Sequence, residues 1–448
     1  MNITDQFIDN LYAFSKRKFK DEEVLHAKKC LLDYLGVTLA GAKAYYDVEK
    51  SLLETGIANG GNSTIIGHDK KVSAPIAALI NGISAHAVEL DDGQRFGNVH
   101  PGAPIISSLL SVAEYRDLTI SDLTIGILTG YECALRLACS IQPSHKLKGF
   151  HATGPCCTIG GAMAIAAMCG YTKKQFKSAL SAACTSASGI LEMIEGDTQM
   201  MPYNSGKAAS NAIVAASVGL SGFKCPDDAL GGKRGFLNCF AEKPKLDILT
   251  DFNDQLYSTS NYFKMYAACG HCHSGIDAAL KLRSQNHFSV EEIDHIVVET
   301  YKLAIQGHDH NIIDGINSAK MSIPYSVAVA LFKGSAGIND YDEDSITNRS
   351  ILNLTSKITV RENEEITRLA PQKRISVVHV YTKDEHYLER VDYPKGQPEN
   401  PLSTIEIEDK FYSMCHYASF SMDKAKMLAN IVLNDGINLS VRDLLKEL

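Results

Sequence analysis

The segment HAVELDDGQRFGNVHPG, residues 86–102, concentrates side chains that can do acid–base chemistry. Its charged and titratable residues are His86, Glu89, Asp91, Asp92, Arg95 and His100. Both flanks, ALINGISAHAVEL and PGAPIISSLL, are strongly apolar, so the segment is expected to be a loop held against the core, where its charges need partners. The alternative is an exposed polar loop whose aspartates cap the next helix. We interpret the segment as a functional loop.

The segment GFHATG, residues 149–154, places His151 at the entry to an apolar helix. Its small residues would let a substrate approach the helix N-terminus, where free N–H groups favour carboxylates. A single histidine is more often structural than catalytic. The interest of His151 therefore depends on the charged loop that accompanies it.

The segment KMYAACGHCHSGID, residues 264–277, contains Lys264, His273 and the sequence CGHCH. CGHCH matches the haem-attachment pattern C-x-x-C-H, but attachment requires export, and the N-terminus lacks the basic-then-apolar order of a secretory signal. A zinc site is another alternative, although no second ligand pair stands at suitable spacing. The sequence favours a helix start at which His273 and Lys264 face a pocket.

Two further residues are candidates. Tyr325, in SIPYSVAVA, is predicted in the first turn of a buried helix, where an ordinary core aromatic is the alternative. Lys207, in MPYNSGKAASNA, is predicted near a helix start, where it could equally be solvated. The sequence has no G-x-G-x-x-G after a strand, no P-loop and no G-x-S-x-G elbow, so acid–base chemistry is the remaining type.

The bulk properties exclude several classes of protein. A net charge of -8 argues against general nucleic-acid binding, which needs an excess of clustered Lys and Arg. The longest apolar runs are too short to span a bilayer. A cytoplasmic location is therefore expected, and there the twelve cysteines are predicted to be reduced thiols.

The 448 residues predict two domains. Apolar residues recur at three- and four-residue spacing through the first part, which predicts an all-helical domain over 1–267, with Gly41 ending one early helix. HIVVETYKLA, ISVVHVYT and LERVDYP are typical of strands and alternate with helical stretches, which predicts a smaller α+β domain over 268–404. The helical tail, 405–448, is predicted to return to the first domain.

Taken in order, these segments resemble the MmgE/PrpD family over nearly the whole chain. LLDYLGVTLAGA is similar to its first helix, and AALINGISAHAVELDD followed by HPG is similar to its active-site loop. GFHATG, the lysine-to-aspartate segment at 264–277, SIPYSVAVAL and YPKGQPENPLS match in the same order.

The resemblance implies a mainly α fold with a large helical domain and a smaller α+β lid domain. It also implies a homodimer that uses no cofactor and no metal, and acts on a small-molecule carboxylate. The implied catalytic residues are Glu89, Asp91, Asp92, His100, His151, Lys264 and Tyr325. His86, Arg95, Lys207 and His273 are predicted to bind the substrate.

The predicted reaction is proton abstraction next to a carboxylate, most simply in a hydro-lyase acting on a di- or tricarboxylate. An isomerase or epimerase of an amino- or imino-dicarboxylate and a decarboxylase are the alternatives, followed by a haem or redox protein.

Dehydratase and decarboxylase members of the family usually carry D-F-D-D-T and K-P-L-H-x-G-x-A-A. Here Glu89 and Gly93 alter the first motif, and Met201 and Asn204 replace the lysine and histidine of the second. These departures predict altered carboxylate contacts, and Lys207 is predicted to restore the charge.

Overall fold

The computed structural model describes residues 1–58, 60–194, 198–253 and 255–448. The chain divides into two compact units. The first contains Met1–Ile194, Gln199–Asn261 and Ser403–Leu448, and most of the second is Tyr262–Leu402. The predicted fold class, mainly α with a smaller α+β part, is confirmed.

The first unit is built almost entirely of helices. In its N-terminal part these are α1 (Ile3–Lys16), α2 (Asp21–Ala44), α3 (Tyr46–Leu52), α4 (Ala74–Ala87), α5 (Gly102–Arg116), α6 (Ile120–Ile141), α7 (Ser144–Leu147), α8 (Thr153–Met168), α9 (Lys173–Ser186), α10 (Met200–Leu220), α11 (Phe236–Phe240) and α12 (Asp247–Thr250), with a π turn at Leu53–Ile57 and a 3₁₀ turn at Leu191–Ile194. The expectation that this region is all helical is wrong in one detail. Two two-residue strands, β1 (Ser63–Thr64) and β2 (Lys71–Val72), pair antiparallel between α3 and α4.

Local hydrogen bonds explain where several of these helices begin. Thr119, Thr172 and Ser403 each accept a backbone N–H three residues ahead, while the side chain at that position bonds back to the cap. This reciprocal arrangement satisfies two donors that a helix N-terminus otherwise leaves unpaired.

Glycine lets the helices of the first unit approach closely. Gly41 does not end a helix as predicted but lies inside α2, and a Cβ there would stand 1.8 Å from the carbonyl oxygen of Ser84 on α4. Gly82 on α4 faces Gly206 on α10 in the same way, with 2.7 Å between its added Cβ and the Cα of Gly206. Gly41 therefore supports a helix crossing, because only a residue without a side chain fits there.

We expect Gly41→Ala to destabilise the first unit by at least about 1–3 kcal/mol, because backbone must move to accept the methyl group. The midpoint of thermal or urea unfolding measures this effect. Gly275→Ala is a helical control, since its Cβ would meet side chains and no backbone, Val327 at 3.2 Å and Ile323 at 4.0 Å. A Gly41→Ala protein as stable as the wild type would contradict the close crossing.

The second unit combines a four-stranded sheet with helices. Its strands are β3 (Ile293–Thr300), β4 (Ile358–Glu362), β5 (Ser376–Thr382) and β6 (His386–Val391). Its helices are α13 (His273–Gln285), α14 (Lys302–Ile305), α15 (Ile316–Met321), α16 (Ile323–Lys333), α17 (Glu343–Ile346), α18 (Arg349–Ser356) and α19 (Glu364–Leu369), with 3₁₀ turns at Val290–Glu292 and Ile338–Asp340. The strand order is β4-β3-β5-β6, in which β3 runs parallel to β4 and antiparallel to β5. Helix α13 packs on β5 and β6, and α16 contacts β4.

Strand β4 is absent from the sequence predictions, which place strands only at HIVVETYKLA, ISVVHVYT and LERVDYP. In the structure α18 ends at Ser356 and the strand begins two residues later with Ile358, Thr359 and Val360. β-branched residues favour a strand. Their short run directly after a helix hides this signal.

The C-terminal helices belong to the first unit by their contacts. They are α20 (Thr404–Tyr417), α21 (Met422–Asn430) and α22 (Val441–Leu445), with a π turn at Ile431–Asp435. Helix α20 packs along α2. Within the part of the chain that the structure describes, none of the helices combines the length and the apolar character needed to cross a bilayer.

Candidate active site

The charged loop connects α4 to α5 and is folded tightly against the first unit. Its middle forms a small antiparallel bridge in which Gln94 and Val99 exchange backbone hydrogen bonds of 2.8 and 3.3 Å. The Gln94 side chain accepts from the N–H of Gly97 at 2.6 Å, and Gln142 on α6 donates to the Gly97 carbonyl at 3.0 Å. The loop is therefore anchored to a neighbouring helix, as its apolar flanks predict.

Glu89 adopts a backbone conformation that residues other than glycine seldom adopt. Its φ is 56°, in the left-handed region, and its side chain is buried. Such strain costs on the order of 1–3 kcal/mol and persists only where surrounding contacts enforce it. Its carboxylate lies 3.6 Å from Nε2 of His86.

Asp91 lies between His86, in the last turn of α4, and His100 of the loop. Its Oδ2 is 2.6 Å from Nδ1 of His86 and 3.4 Å from Nδ1 of His100. The rings of His86 and His100 meet edge to face at 4.9 Å between centroids. His86 and Asp91 are buried and His100 is half-buried. Because little water screens this carboxylate, its electrostatic interaction with the two imidazole rings is strong.

The hydrogen bonds of His100 define its neutral tautomer. Nδ1 lies 2.8 Å from the carbonyl oxygen of Asp92, which can only accept, so Nδ1 carries the proton. Nε2 then holds the lone pair and is the basic atom. The backbone N–H of His100 donates to Oγ1 of Thr153 at 3.0 Å, which links the loop to the first turn of α8.

Asp92 anchors the loop. Its carboxyl group accepts from Gly102 N–H, Tyr131 O–H and Asn261 Nδ2, each at 2.8 Å. Burial, reinforced by the nearby charges of Asp91 and Asp33, raises the pKa of Asp92 to about 7. Tyr131 and Asn261 are contributors that the sequence predictions missed, because only the fold brings them to the loop.

The raised pKa of Asp92 predicts a pH-dependent stability. The unfolded carboxyl group releases its proton near its ordinary pKa of 3.8, whereas the folded group holds it until about pH 7. Its contribution is therefore fully present below pH 3.8 and is lost as the pH rises through 7. Between pH 5 and 8, the free energy of unfolding should therefore fall by roughly 1–3 kcal/mol less in Asp92→Asn than in the wild type. Unfolding midpoints across this range measure it, and parallel pH profiles would contradict the assignment.

His151 precedes α8 and contacts a side chain of α10. Nδ2 of Asn204 lies 3.4 Å from Nδ1 of His151, and Nζ of Lys207 donates to Oδ1 of Asn204 at 3.2 Å. Because the lysine can only donate, it turns the amide nitrogen of Asn204 towards His151. The neutral imidazole then carries its proton on Nε2. Desolvation, with repulsion from His100 and His86, holds the pKa of His151 well below its usual value.

The two histidines from separate segments meet in the first unit. The rings of His100 and His151 are almost parallel, with 6.5 Å between their centroids. The structure thus brings together the charged loop and the GFHATG segment. One ring presents an acceptor nitrogen and the other a donor nitrogen.

Lys207 is not near a helix start as predicted but lies two turns into α10, because that helix begins at Met200. It is half-buried and also donates to the carbonyl and the hydroxyl of Ser188, at 3.0 and 2.9 Å. Burial lowers its pKa. Lys207 thus lies beside Asn204, in the segment where Met201 stands in place of the lysine of the family motif.

Arg95 also lies in the first unit, buried within the loop. Its guanidinium carbon is 4.6 Å from the centre of the Phe96 ring. A buried charge acts on neighbouring groups more strongly than an exposed one.

The second unit holds the remaining predicted residues. Lys264 is completely buried, and His273 begins α13 with Nε2 3.1 Å from the carbonyl oxygen of Ala268. Tyr325 lies in the first turn of α16, as predicted, and its hydroxyl donates to the Asp340 carbonyl at 3.3 Å. Burial raises the pKa of Tyr325, so this hydroxyl stays protonated.

A buried lysine from the C-terminal helix α20 supports the charged loop. Nζ of Lys410 lies 2.6 Å from Oδ1 of Asp33 on α2 and donates to the carbonyl oxygen of Leu90 at 2.7 Å. Breaking such a buried pair by removing one partner costs about 3–5 kcal/mol. Leu90 directly precedes Asp91, so Lys410 fixes the backbone next to the central carboxylate.

Two groups of described side chains could hold a metal ion. One is His86 at the end of α4 with Asp91 and His100 in the loop, and the other is Cys269, His271 and His308 in the second unit. In each group the candidate ligand atoms lie within 4.8 Å of one another. In the first group, however, the His100 nitrogen nearest to Asp91 carries a proton and has no lone pair to offer.

Comparison with known proteins decides the family. Residues 6–249 match the MmgE/PrpD N-terminal domain, and residues 266–435 match the MmgE/PrpD C-terminal domain. The chain belongs to the MmgE/PrpD family. By its contacts, the stretch of the matched C-terminal domain beyond residue 402 packs with the first unit.

Curated members of the MmgE/PrpD family resemble the chain along its length. Cis-aconitate decarboxylase-like protein oryM of Aspergillus oryzae is 23% identical over 99% of this chain and 96% of its own. Cis-aconitate decarboxylase of Aspergillus terreus is 23% identical over 91% of this chain and 88% of its own. The enzyme of the same name from Homo sapiens is 25% identical over 97% of this chain and 92% of its own.

Proposed function

We propose that the protein is a lyase that acts on a small di- or tricarboxylate by proton transfer at the carbon next to a carboxylate. The observation that carries this proposal is the pair of nearly parallel imidazoles, His100 and His151, 6.5 Å apart. A base and a donor at this separation can act on one small substrate, because acid–base catalysis requires hydrogen-bond reach to the reacting groups.

His100 is proposed as the base. Its Nε2 would accept the proton while Nδ1 keeps its hydrogen bond to the Asp92 carbonyl. The imidazolium that forms is stabilised by Asp91, 3.4 Å from Nδ1. This arrangement follows the general logic of a base oriented by a buried carboxylate.

His151 is proposed as the donor. Its low pKa keeps the ring neutral, and a neutral imidazole N–H can donate a hydrogen bond to a substrate oxygen. Arg95 and Lys207, both in the first unit, are proposed to bind the substrate carboxylates and the negative charge that develops on proton removal.

Two bond cleavages are compatible with this machinery. In dehydration, the electron pair left on carbon after proton removal forms the double bond as hydroxide leaves and takes up a proton from a donor. In decarboxylation, the electron pair of the broken carbon–carboxylate bond stays on carbon, which must then be protonated. The paired acceptor and donor favour dehydration, whereas the names of the relatives favour decarboxylation.

The experiment is a mass-spectrometric screen of di- and tricarboxylates, including hydroxy, amino and unsaturated acids, incubated in H₂O and in D₂O. Loss of water identifies a hydro-lyase and loss of CO₂ identifies a decarboxylase. Deuterium exchange without a new product identifies an epimerase and would refute the lyase proposal. No change in any carboxylate would refute the substrate class.

A further inference from the structure

Three potential metal ligands converge in the second unit. They are Cys269, His271 and His308, and their ligand atoms all lie within 4.8 Å of one another. Sγ of Cys269 is 3.8 Å from Nε2 of His308, and the two imidazole rings are 5.3 Å apart between centroids. In the sequence no second ligand pair stands at a spacing suitable for zinc, but the fold supplies His308, 39 positions beyond Cys269.

In both histidines, Nδ1 already has a hydrogen-bond partner. Nδ1 of His308 lies 2.9 Å from the carbonyl oxygen of Met321, which can only accept, so Nδ1 carries the proton and Nε2 faces Cys269 with its lone pair. Nδ1 of His271 is joined to the hydroxyl of Tyr301 at 2.5 Å. Metal-binding histidines almost always bond their second nitrogen in this way, which fixes the ring and its tautomer.

The distance between Cys269 and His308 is close to that expected around a bound zinc ion. Zn–S and Zn–N bonds of about 2.3 and 2.0–2.1 Å in a tetrahedron put ligand atoms roughly 3.3–3.6 Å apart. The observed 3.8 Å between Sγ and Nε2 needs only a small side-chain rotation to reach this value. Cys269 and His308 are half-buried, so an ion could reach them.

A buried arginine lies next to the proposed ligand segment. Arg374 is buried, and one of its nitrogens would lie 2.9 Å from a Cβ placed on Gly270. The thiolate is the form of cysteine that binds metals. The charge of Arg374 repels a cation, so the thiolate and two neutral imidazoles must together outweigh it.

We propose that Cys269, His271 and His308 bind a Zn²⁺ ion and leave its fourth position open for water or another ligand. A mixed set of sulfur and nitrogen ligands suits zinc, and three protein ligands with one open coordination position are typical of catalytic zinc sites. This site goes beyond the proposed function, whose acid–base groups require no metal.

The test is equilibrium binding of Zn²⁺ to the tag-free, chelator-treated full chain, with Co²⁺ as a spectroscopic probe. One equivalent of Zn²⁺ and a thiolate-to-cobalt charge-transfer band are expected. Both should be lost in Cys269→Ser and in His308→Ala. Tyr301→Phe keeps all three ligands and should weaken affinity roughly 10- to 100-fold.

Cys272→Ser is the matched control. It alters the neighbouring cysteine of CGHCH, whose Sγ faces the Lys320 carbonyl, and should leave binding unchanged. Circular dichroism establishes that each variant is folded. The proposal is overturned if the wild type binds no Zn²⁺, if Cys269→Ser binds normally, or if binding is lost in His100→Ala but kept in His308→Ala. Because no readout involves turnover, these outcomes are independent of the lyase screen.

Discussion

His100→Ala should reduce turnover of the substrate by roughly two to four orders of magnitude, the usual contribution of a positioned base. The fold should survive, because the loop is held mainly by Asp92, Gln94 and Lys410. The measurement is kcat and kcat/KM on the substrate found by the screen, together with the thermal unfolding midpoint. His151→Ala should produce a comparable loss, because the base and the donor act in the same reaction.

His416→Ala is a suitable control for both variants. This histidine is exposed on α20 of the same unit, and its loss should change neither activity nor stability. Near-wild-type turnover in His100→Ala or His151→Ala would remove that histidine from the mechanism. A fall in activity matched by a large fall in unfolding midpoint would instead indicate a structural role.

Asp91→Asn should lower kcat by a similar factor, about 10²- to 10⁴-fold, with a smaller change in KM. The substitution keeps the size of the side chain but removes the charge that lies 2.6 Å from His86 and 3.4 Å from His100. The imidazolium formed when His100 accepts a proton would then lack its nearest counter-charge. A neutral amide would also leave the two ring orientations less well fixed.

Asp409→Asn, an exposed change on α20, is the matched control for Asp91→Asn and should have no effect. Steady-state kinetics over a range of pH separates the two roles of Asp91. If the substitution raised KM alone, Asp91 would be a substrate-positioning group, and the proposed support of His100 would be wrong.

The part of the site that lies close together in the sequence was predictable. His86, Asp91 and His100 fall within fifteen residues between two apolar helices, so any fold that buries those helices brings the three side chains near each other. The contact of His151 with Asn204 was not predictable from spacing, because it depends on how α10 packs beside α8. Lys207 gains its role only through that contact.

Errors in the fold predictions have similar causes. Gly41 has the local character of a helix end, and its role in α2 becomes visible only when the carbonyl of Ser84 is opposite it. Strand β4 is five residues long and follows α18 almost directly, so its β-branched residues are absorbed into the helical pattern. The cluster of Cys269, His271 and His308 was not predicted from the sequence, because its third residue is distant in the chain.

The contact between Lys410 and the Leu90 carbonyl has a consequence for biosynthesis. The charged loop is complete early in translation, but the lysine that fixes its backbone is added more than three hundred residues later. A nascent chain that has emerged only as far as the second unit therefore carries the proposed acid–base residues without the contact from Lys410. Catalytic competence should appear only after the last helices leave the ribosome and fold back onto α2, so unfinished chains would be inactive.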